Sequence, residues 1–329
     1  KTSSMWSGAS YSKAAGFMAF CGIQTLASRK PRTMSQSISR DPRLSQHATG
    51  LLLTTVGVLV LSPDSLMIRA VDADAWTLVF WRGLLMCLVL TTVTLLRLGK
   101  GAAAEFRSIG LRGLAVGVLF GGQLILFVTS VSHTSVANTL VIFATAPLFA
   151  AVFSRIFLGE PVQRRVWIAA IVCLGAVSFI FVGSVGAGRL GGDLAAVGAA
   201  ITMALGLTIM RHSRAVSMVP AWGLGAGFAA AGVFAVADPL SVGGSDWLIL
   251  FGSGLLILPI AFGLIAHGPR RLSAPETGLL MLLETILGPL WVWWFLEEQP
   301  NTEALIGGVI VIGVLVANSM LGLRETSRV

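Results

Sequence analysis

Residues 133–161 read HTSVANTLVIFATAPLFAAVFSRIFLGEP. Between Ser135 and Phe157 the side chains are mostly apolar, and Arg155 is the one charged residue. A helix needs about 20 such residues to cross the hydrocarbon core of a bilayer. The segment therefore predicts a membrane-spanning helix that ends at the corner Leu158-Gly159-Glu160-Pro161.

The rest of the chain has the same apolar character. Of the 329 residues, 55% are hydrophobic and 12% are charged, whereas soluble domains average about 25% charged residues. So few charges exclude both a soluble globular protein and a disordered chain. We predict an all-α integral membrane protein with ten transmembrane helices near residues 48–67, 75–96, 110–130, 135–157, 166–184, 193–210, 219–237, 247–266, 275–296 and 302–322.

Loop charges predict the orientation of these spans. With a cytoplasmic N-terminus, the cytoplasmic segments hold 20 of the 23 Lys and Arg residues. The opposite side holds Arg69 and Arg189 together with eight acids: Asp72, Asp74, Asp193, Asp238, Asp246, Glu297, Glu298 and Glu303. Cytoplasmic loops are enriched in Lys and Arg. The pattern therefore predicts that both termini are cytoplasmic, most simply in a bacterial inner membrane. It also explains the net charge of +8 without a nucleic-acid partner.

An internal repeat relates the two halves of the chain. A shift of about 138 residues places Ser135 on Ser273, Glu160 on Glu298 and Gly175 on Gly313. Because each unit has five spans, an odd number, the second unit must enter the membrane from the opposite face. Inverted repeats of this kind are typical of secondary transporters, whose central site faces each side in turn. We therefore predict two inverted five-helix repeats.

These observations divide the chain into four parts. Residues 47–185 form the first predicted repeat, residues 186–323 the second, and residues 324–329 a cytoplasmic tail. Residues 1–46 have no acid before Asp41 and are interpreted as a disordered or amphipathic arm. A transit peptide and translated upstream sequence are alternatives for this arm, since Met34 is a plausible start.

The sequence also resembles the EamA-like family of the drug/metabolite transporter superfamily. The resemblance covers roughly residues 48–323 and is carried by residues 133–161, by Leu272-Ser-Ala-Pro-Glu276 with Leu283-Glu284-Thr285 in the second copy, and by Phe80-Trp81-Arg82. Many members have Pro after the Glu of the second copy, where this chain has Thr285. The resemblance implies a ten-helix transporter of small solutes, commonly an exporter of amino acids or related metabolites.

Three ionisable residues lie well within the predicted spans. Charged side chains in a membrane cost roughly 2.5–3.5 kcal/mol on insertion scales, and they often mark solute or ion pathways. Asp64 follows Pro63, whose missing N–H favours a broken helix. It is either part of a site at that break, with Arg69 as a possible partner, or a solvated residue beyond the helix end. Arg82 could bind a carboxylate, pair with Asp64 or extend to the outer interface.

Glu284 is the strongest candidate among the three. It lies about ten residues into span 9, too deep for its carboxylate to reach the interface. A carboxylate in a cavity there could bind a substrate amine or take up a proton for coupling. The alternative interpretation is a structural glutamate that is hydrogen-bonded between helices.

Neutral residues add further candidates. Gln123 in span 3 and Asn138 in span 4 could bind solute or join helices through hydrogen bonds. Trp291, Trp293 and Trp294 predict an interfacial aromatic belt, and Trp293 is a candidate for the solute path. The prolines within spans are candidates for kinks or hinges: Pro63, Pro147 and Pro289. Three glycines on one face of span 3 are candidates for close helix packing: Gly113, Gly117 and Gly121.

The expected function is secondary transport by alternating access, most simply export of a small metabolite such as an amino acid. We expect no enzymatic activity, no cofactor and no metal site, because the motifs for them are absent. Protons as coupling ion and a homodimer remain open. The rival interpretations are an organellar carrier of nucleotide sugars, which would call for several intramembrane cations for phosphate, and a membrane protein that does not transport.

Overall fold

The structure is a computed structural model, and it describes residues 42–159, 162–212, 218–265, 272 and 274–326. Residues Pro42–Val329 form one compact unit. Within the described ranges the chain is helical and contains no strand. Residues 1–41, assigned to the arm, and Glu160 of the corner lie outside the described residues. The first helix begins at Pro42, inside the stretch that was assigned to the arm.

The α-helices, numbered in chain order, are α1 (Pro42–Leu61), α2 (Asp64–Ala70), α3 (Ala75–Leu98), α4 (Ala102–Ser108), α5 (Gly110–His133), α6 (Val136–Phe143), α7 (Ala146–Leu158), α8 (Arg164–Gly186), α9 (Leu190–His212), α10 (Val219–Val233), α11 (Asp246–Phe251), α12 (Leu258–Ile265), α13 (Ala274–Leu296) and α14 (Thr302–Thr326). A 3₁₀ turn, Gly99–Gly101, precedes α4, and a π-helical segment, Gly252–Ile257, joins α11 to α12. The predicted spans 1 to 5 correspond to α1–α2, α3, α5, α6–α7 and α8. Spans 6 to 10 correspond to α9, α10, α11–α12, α13 and α14.

Eight helical segments of the described chain are long and apolar enough to cross a membrane. The protein is therefore an integral, multi-pass membrane protein. The other two predicted spans are represented by the shorter apolar helices Val219–Val233 and Leu280–Leu296. Helix length alone thus supports eight of the ten predicted spans.

Span 1 is broken where the sequence places Pro63. The α-helix stops at Leu61 and resumes at Asp64, because proline cannot donate to the carbonyl four residues earlier. That carbonyl belongs to Leu59, and the Ser62 hydroxyl donates to it at 2.9 Å. The hydroxyl thereby replaces the missing N–H, as the apolar interior of a bilayer requires.

Span 4 has an equivalent break, between Phe143 and Ala146, immediately before Pro147. Here the Thr145 hydroxyl donates to the Ile142 carbonyl at 2.6 Å, whereas the carbonyl four residues before Pro147 belongs to Phe143. Pro289, the third kink candidate, lies inside α13, which is not interrupted there. Spans 1 and 4 are therefore both broken at a proline, whereas α13 continues past its proline.

Most helix contacts join the first five spans to the last five. α5 packs on α9, and the helices that the predicted repeat makes equivalent to them, α12 and α1, also pack together. In the same way, α6 and α7 pack on α9, while α13 packs on α1 and α2. The pairs α3–α10, α6–α13 and α8–α14 join equivalent positions. These contacts keep their pattern when the two sets of spans are exchanged.

Glycines allow the closest of these approaches. A methyl group added at Gly121 of α5 would lie 2.6 Å from the backbone carbonyl of Gly225 in α10, and one at Gly117 would lie 3.0 Å from the carbonyl of Ala221. Gly113, in contrast, faces Ile109, one turn earlier in its own segment of chain. Gly117 and Gly121 thus lie at a helix contact within the chain.

Candidate functional site

The break in span 1 positions a buried ion pair. Asp64 is the first residue of α2, and its Oδ2 lies 2.7 Å from Nη2 of Arg82 in α3. Their side chains are 6% and 3% exposed. Arg82 therefore does not extend to the interface, and Asp64 is not a solvated loop residue. Of the arrangements considered from the sequence, the structure contains the Asp64–Arg82 pair.

Span 8 contributes a third member of this cluster. Nη1 of Arg82 donates to the Ser253 hydroxyl at 2.5 Å, and Ser253 is buried at the start of the π-helical segment. π-helical turns occur often at functional sites, where they redirect side chains. Ser253 is not predictable from the sequence, since an isolated serine in an apolar run carries no recognisable pattern.

The pair is not fully satisfied. Oδ1 of Asp64, Nε of Arg82 and the hydroxyl of Ser65 are buried and lack hydrogen-bond partners among the described residues. An unpaired buried polar group costs about 1–3 kcal/mol, and more if it is charged. One donor, the Nε–H of Arg82, therefore remains available beside the ion pair, together with two oxygens that can accept, Oδ1 of Asp64 and the Ser65 hydroxyl.

One face of α13 lies against this cluster. The Glu284 carboxylate is close enough to Asp64 to interact with it electrostatically. One turn further on, a methyl group added at Gly288 would lie 3.0 Å from the Ser65 hydroxyl. After one more turn, Nε1 of Trp291 donates to the Ser62 hydroxyl at 2.9 Å. The i, i+4, i+7 spacing of these residues places them on one helix face, which is directed at the break in span 1.

Trp293 lies elsewhere on α13. Its side chain is 49% exposed, and that of Trp294 is 78% exposed, as expected for aromatic side chains at a lipid-facing surface. Of the three tryptophans, Trp291 is the one bonded to the cluster. The helical spacing from Glu284 would have distinguished it in the sequence.

Gln123 lies in a different part of the bundle. It is 8% exposed and has no hydrogen-bond partner in the described part of the chain. It lines a small pocket between α5, α9, α10 and α12. The edge-to-face and stacked rings of Phe120, Trp222 and Phe262 form one wall of this pocket. The pocket is therefore apolar and aromatic, with one amide among its lining groups.

Asn138 does not join the Asp64 cluster. Its Nδ2 donates to the Ser184 hydroxyl at 3.0 Å and to Asp193 at 3.2 Å. The loop-charge pattern assigns Asp193 to an outer connection, and the structure shows that this acid is fully buried. It lies in the first turn of α9, covered by the start of α6 and the end of α8.

Arg69 pairs with Glu298, not with Asp64 as the sequence had suggested. Its Nε lies 2.7 Å from Oε2 of Glu298, and the two side chains are 33% and 25% exposed. Nη1 also donates to the carbonyl of Val131 at 3.1 Å. The end of α2, the connection after α13 and the end of α5 are thereby joined. Among the described residues, no group of three His, Cys, Asp or Glu side chains could hold a metal ion.

Comparisons with known proteins place the chain among membrane transporters. The sequence profile of the EamA-like transporter family matches residues 48–182 and again residues 190–320. The pseudopaline exporter CntI of Pseudomonas aeruginosa, from strains UCBPP-PA14 and PAO1, is 24% identical over 285 residues, covering 82% of this chain and 96% of the relative. A solved crystal structure aligns with a TM-score of 0.60 and 18% identity, over 84% of this chain and 99% of its own. This likeness supports the fold alone.

Proposed function

Because the chain belongs to the EamA-like transporter family, we propose that it is a secondary transporter that exports a small zwitterionic metabolite, such as an amino acid. The transport mechanism in this proposal is alternating access between two inverted units of five membrane spans each. Both termini lie in the cytoplasm, and the membrane is a bacterial inner membrane.

Three features support the inverted units. The family profile matches the chain twice, most helix contacts persist when the two sets of five spans are exchanged, and the loop charges change sign between equivalent connections. Spans 7 and 9 contain the two shorter apolar helices. In span 7 the bilayer is locally thinned or the helix end is covered by neighbouring helices, whereas the whole of α13, with 23 residues, is long enough to cross.

The observation that carries the solute class is the charge around the break in span 1. Asp64, Glu284 and Arg82 provide two carboxylates and one guanidinium. With both acids ionised, the cluster has one uncompensated negative charge in a medium where charge is costly. A solute ammonium group or a proton removes that charge, and the free Nε of Arg82 can donate to a solute carboxylate.

Coupling follows from this charge balance. Glu284 makes no hydrogen bond or ion pair with the described residues, so its carboxylate is the group available to a ligand. Solute and proton compete for it, because either one neutralises the same oxygen atoms. Outward release of the solute is then exchanged for inward movement of a proton. The resemblance to an exporter supports this direction.

Counterflow in proteoliposomes tests the proposal. Proteoliposomes that contain the wild-type protein are tested for counterflow of amino acids, nucleosides and cationic compounds, with and without a pH gradient. We expect Glu284→Gln to insert normally and to abolish flux of the solute that the wild type transports. Glu297→Gln, the same change at an exposed residue just after this helix, should keep wild-type flux. Normal flux in Glu284→Gln would contradict the site assignment.

A further inference from the structure

A second buried carboxylate lies apart from the proposed solute site. Asp193 is 0% exposed, as is Asn138, and Thr134 and Ser184 are 2% and 1% exposed. The four residues come from the start of α9, the start of α6, the connection before α6 and the end of α8. The structure therefore gathers one acid and three neutral oxygen-bearing side chains where three helices meet.

Every contact of the Asp193 carboxylate among the described residues is with a neutral donor. The Thr134 hydroxyl donates to Oδ1 at 2.6 Å. Nδ2 of Asn138 lies 3.2 Å from Oδ1 and 3.4 Å from Oδ2. No Lys, Arg or His of the described chain pairs with this acid. The charge of an ionised Asp193 is therefore not cancelled by a cationic side chain. Burial of an ionised group without a counter-charge costs folding free energy.

The amide that faces Asp193 also has an unpaired atom. Oδ1 of Asn138 is buried and has no partner in the described part of the chain. The two ends of a carboxamide exchange places by a rotation of about 180°, and the choice between them depends on the surrounding hydrogen bonds. Rotation would direct Oδ1 at the carboxylate, where two acceptors repel each other unless a cation lies between them.

We propose that Asp193, Asn138, Thr134 and Ser184 form a binding site for a monovalent alkali cation, with Na⁺ as the fitting ion. With the amide rotated, the site offers the carboxylate, one amide oxygen and two hydroxyl oxygens. Both hydroxyl hydrogens can turn away to present lone pairs. The ion cancels the charge of Asp193 and gives a partner to Oδ1 of Asn138. The amide NH₂ then takes the position that Oδ1 has in the structure, so the main gain from the ion is the counter-charge for Asp193.

The ligand set selects against other metals. Ca²⁺ and Mg²⁺ are generally bound through more than one carboxylate or through several waters, and a divalent ion here would leave a net positive charge in the protein interior. Transition metals favour imidazole or thiolate ligands, and the cluster has neither. One carboxylate with three neutral oxygens makes a neutral site only with a monovalent ion.

The consequence is structural and does not depend on the transported solute. The four ligands come from α6, α8, α9 and the connection that precedes α6. At this point Gly192 approaches so closely that a methyl group there would lie 2.8 Å from the backbone of Thr134. The bound ion would hold these helices together, and its removal would loosen the contact between spans 4, 5 and 6.

Thermal unfolding of the purified full chain in detergent provides the test. Unfolding is followed in NaCl, KCl and N-methyl-D-glucamine chloride at equal ionic strength, because a ligand that binds the folded state raises Tm with its concentration. We expect Na⁺ to raise the Tm of wild type by several degrees over N-methyl-D-glucamine. Asp193→Asn should lose this increase, whereas Asp238→Asn, at an exposed outer acid, should keep it.

A second variant covers the case in which Asp193→Asn does not fold. Ser184→Ala retains the acid and removes one ligand, so the Na⁺ concentration for half of the Tm increase should rise about tenfold. Equal Tm values for wild type in the three salts would overturn the proposal, since the cluster would then be held by hydrogen bonds alone. An unchanged Na⁺ response in both Asp193→Asn and Ser184→Ala would also overturn it.

Discussion

The guanidinium of Arg82 lies 2.7 Å from the carboxylate of Asp64, and the two side chains are 3% and 6% exposed. The pair crosses from α2 to α3, and Ser253 of span 8 holds its other end. It therefore links the broken span 1 to two other spans in the interior of the bundle.

Removal of one partner from this pair should destabilise the protein more than removal of both. Arg82→Gln leaves Asp64 buried with an uncompensated charge, and breaking a buried pair in this way typically costs about 3–5 kcal/mol. In Asp64→Asn/Arg82→Gln both charges are absent, so most of this loss should be recovered. Thermal unfolding of both single variants and of the double variant measures the coupling. Strictly additive effects would show that the pair does not act as a unit.

Transport assays on the double variant distinguish a structural role of the pair from a role in solute binding. The double variant should fold but transport poorly, because the guanidinium that could bind a solute carboxylate is lost. Proteoliposomes with equal amounts of inserted protein measure this directly. Wild-type flux in the double variant would limit Arg82 to a structural role.

The ion pair between Arg69 and Glu298 should control access from the outer side. Both side chains are partly exposed, and such pairs contribute about 0.2–1 kcal/mol. Glu298→Gln should therefore leave Tm nearly unchanged. It should raise the population that is open at the outer side by about fivefold at most. The measurement is the labelling rate of Ser65→Cys by an impermeant thiol reagent, with the native cysteines replaced. Glu297→Gln is the control, since it neutralises the neighbouring acid, and equal rates in both variants would contradict the prediction.

Two adjacent glycines of α5 should respond in opposite ways to alanine. Alanine is favoured over glycine in a helix by about 1 kcal/mol. At Gly122 the added methyl group would lie 4.0 Å from the nearest side-chain atom of Thr202, so Gly122→Ala should be neutral or stabilising. At Gly121 it would lie 2.6 Å from the Gly225 carbonyl, so Gly121→Ala should lower Tm by separating α5 from α10. A Gly121→Ala variant as stable as Gly122→Ala would refute this close contact.

Trp291 and Trp293 should differ although they are two residues apart. Trp291→Phe removes the hydrogen bond to Ser62, a loss of about 1 kcal/mol, beside the break that positions Asp64. Trp293→Phe keeps an aromatic ring at a position that is 49% exposed. We expect reduced stability and flux only for Trp291→Phe. The same flux and Tm measurements on both variants check this expectation.

Several features of the site follow from local sequence rules. Proline predicts the break at Pro63 because it lacks a donor, and the cost of intramembrane charge selects Asp64, Arg82 and Glu284. Each of these arguments uses the residue and its immediate neighbours. The pairing of Asp64 with Arg82 was one of few arrangements available to two opposite charges in consecutive spans.

Other features depend on contacts between distant segments. Asp193 lies near the end of a span, where a sequence pattern cannot distinguish an exposed acid from one covered by α6 and α8. Arg69 has an acid five residues before it, yet its partner is Glu298, 229 residues away. Ser253 acquires its role from a π-helical segment, and no local pattern in the apolar run predicts that segment. Burial and partner choice in these three cases are decided by tertiary packing.

The preference of each half for contacts with the other half has a consequence for biosynthesis. α3, α5 and α1 bury their faces mainly against α10, α9 and α12, all of which are synthesised later. The first five spans must therefore remain in the lipid or beside the insertion machinery until the later helices are made. Until then, the glycine-lined face of α5 and the charged pair of Asp64 and Arg82 are incompletely covered. Truncation after α8 would leave a chain that inserts into the membrane yet has no complementary surface to complete its assembly.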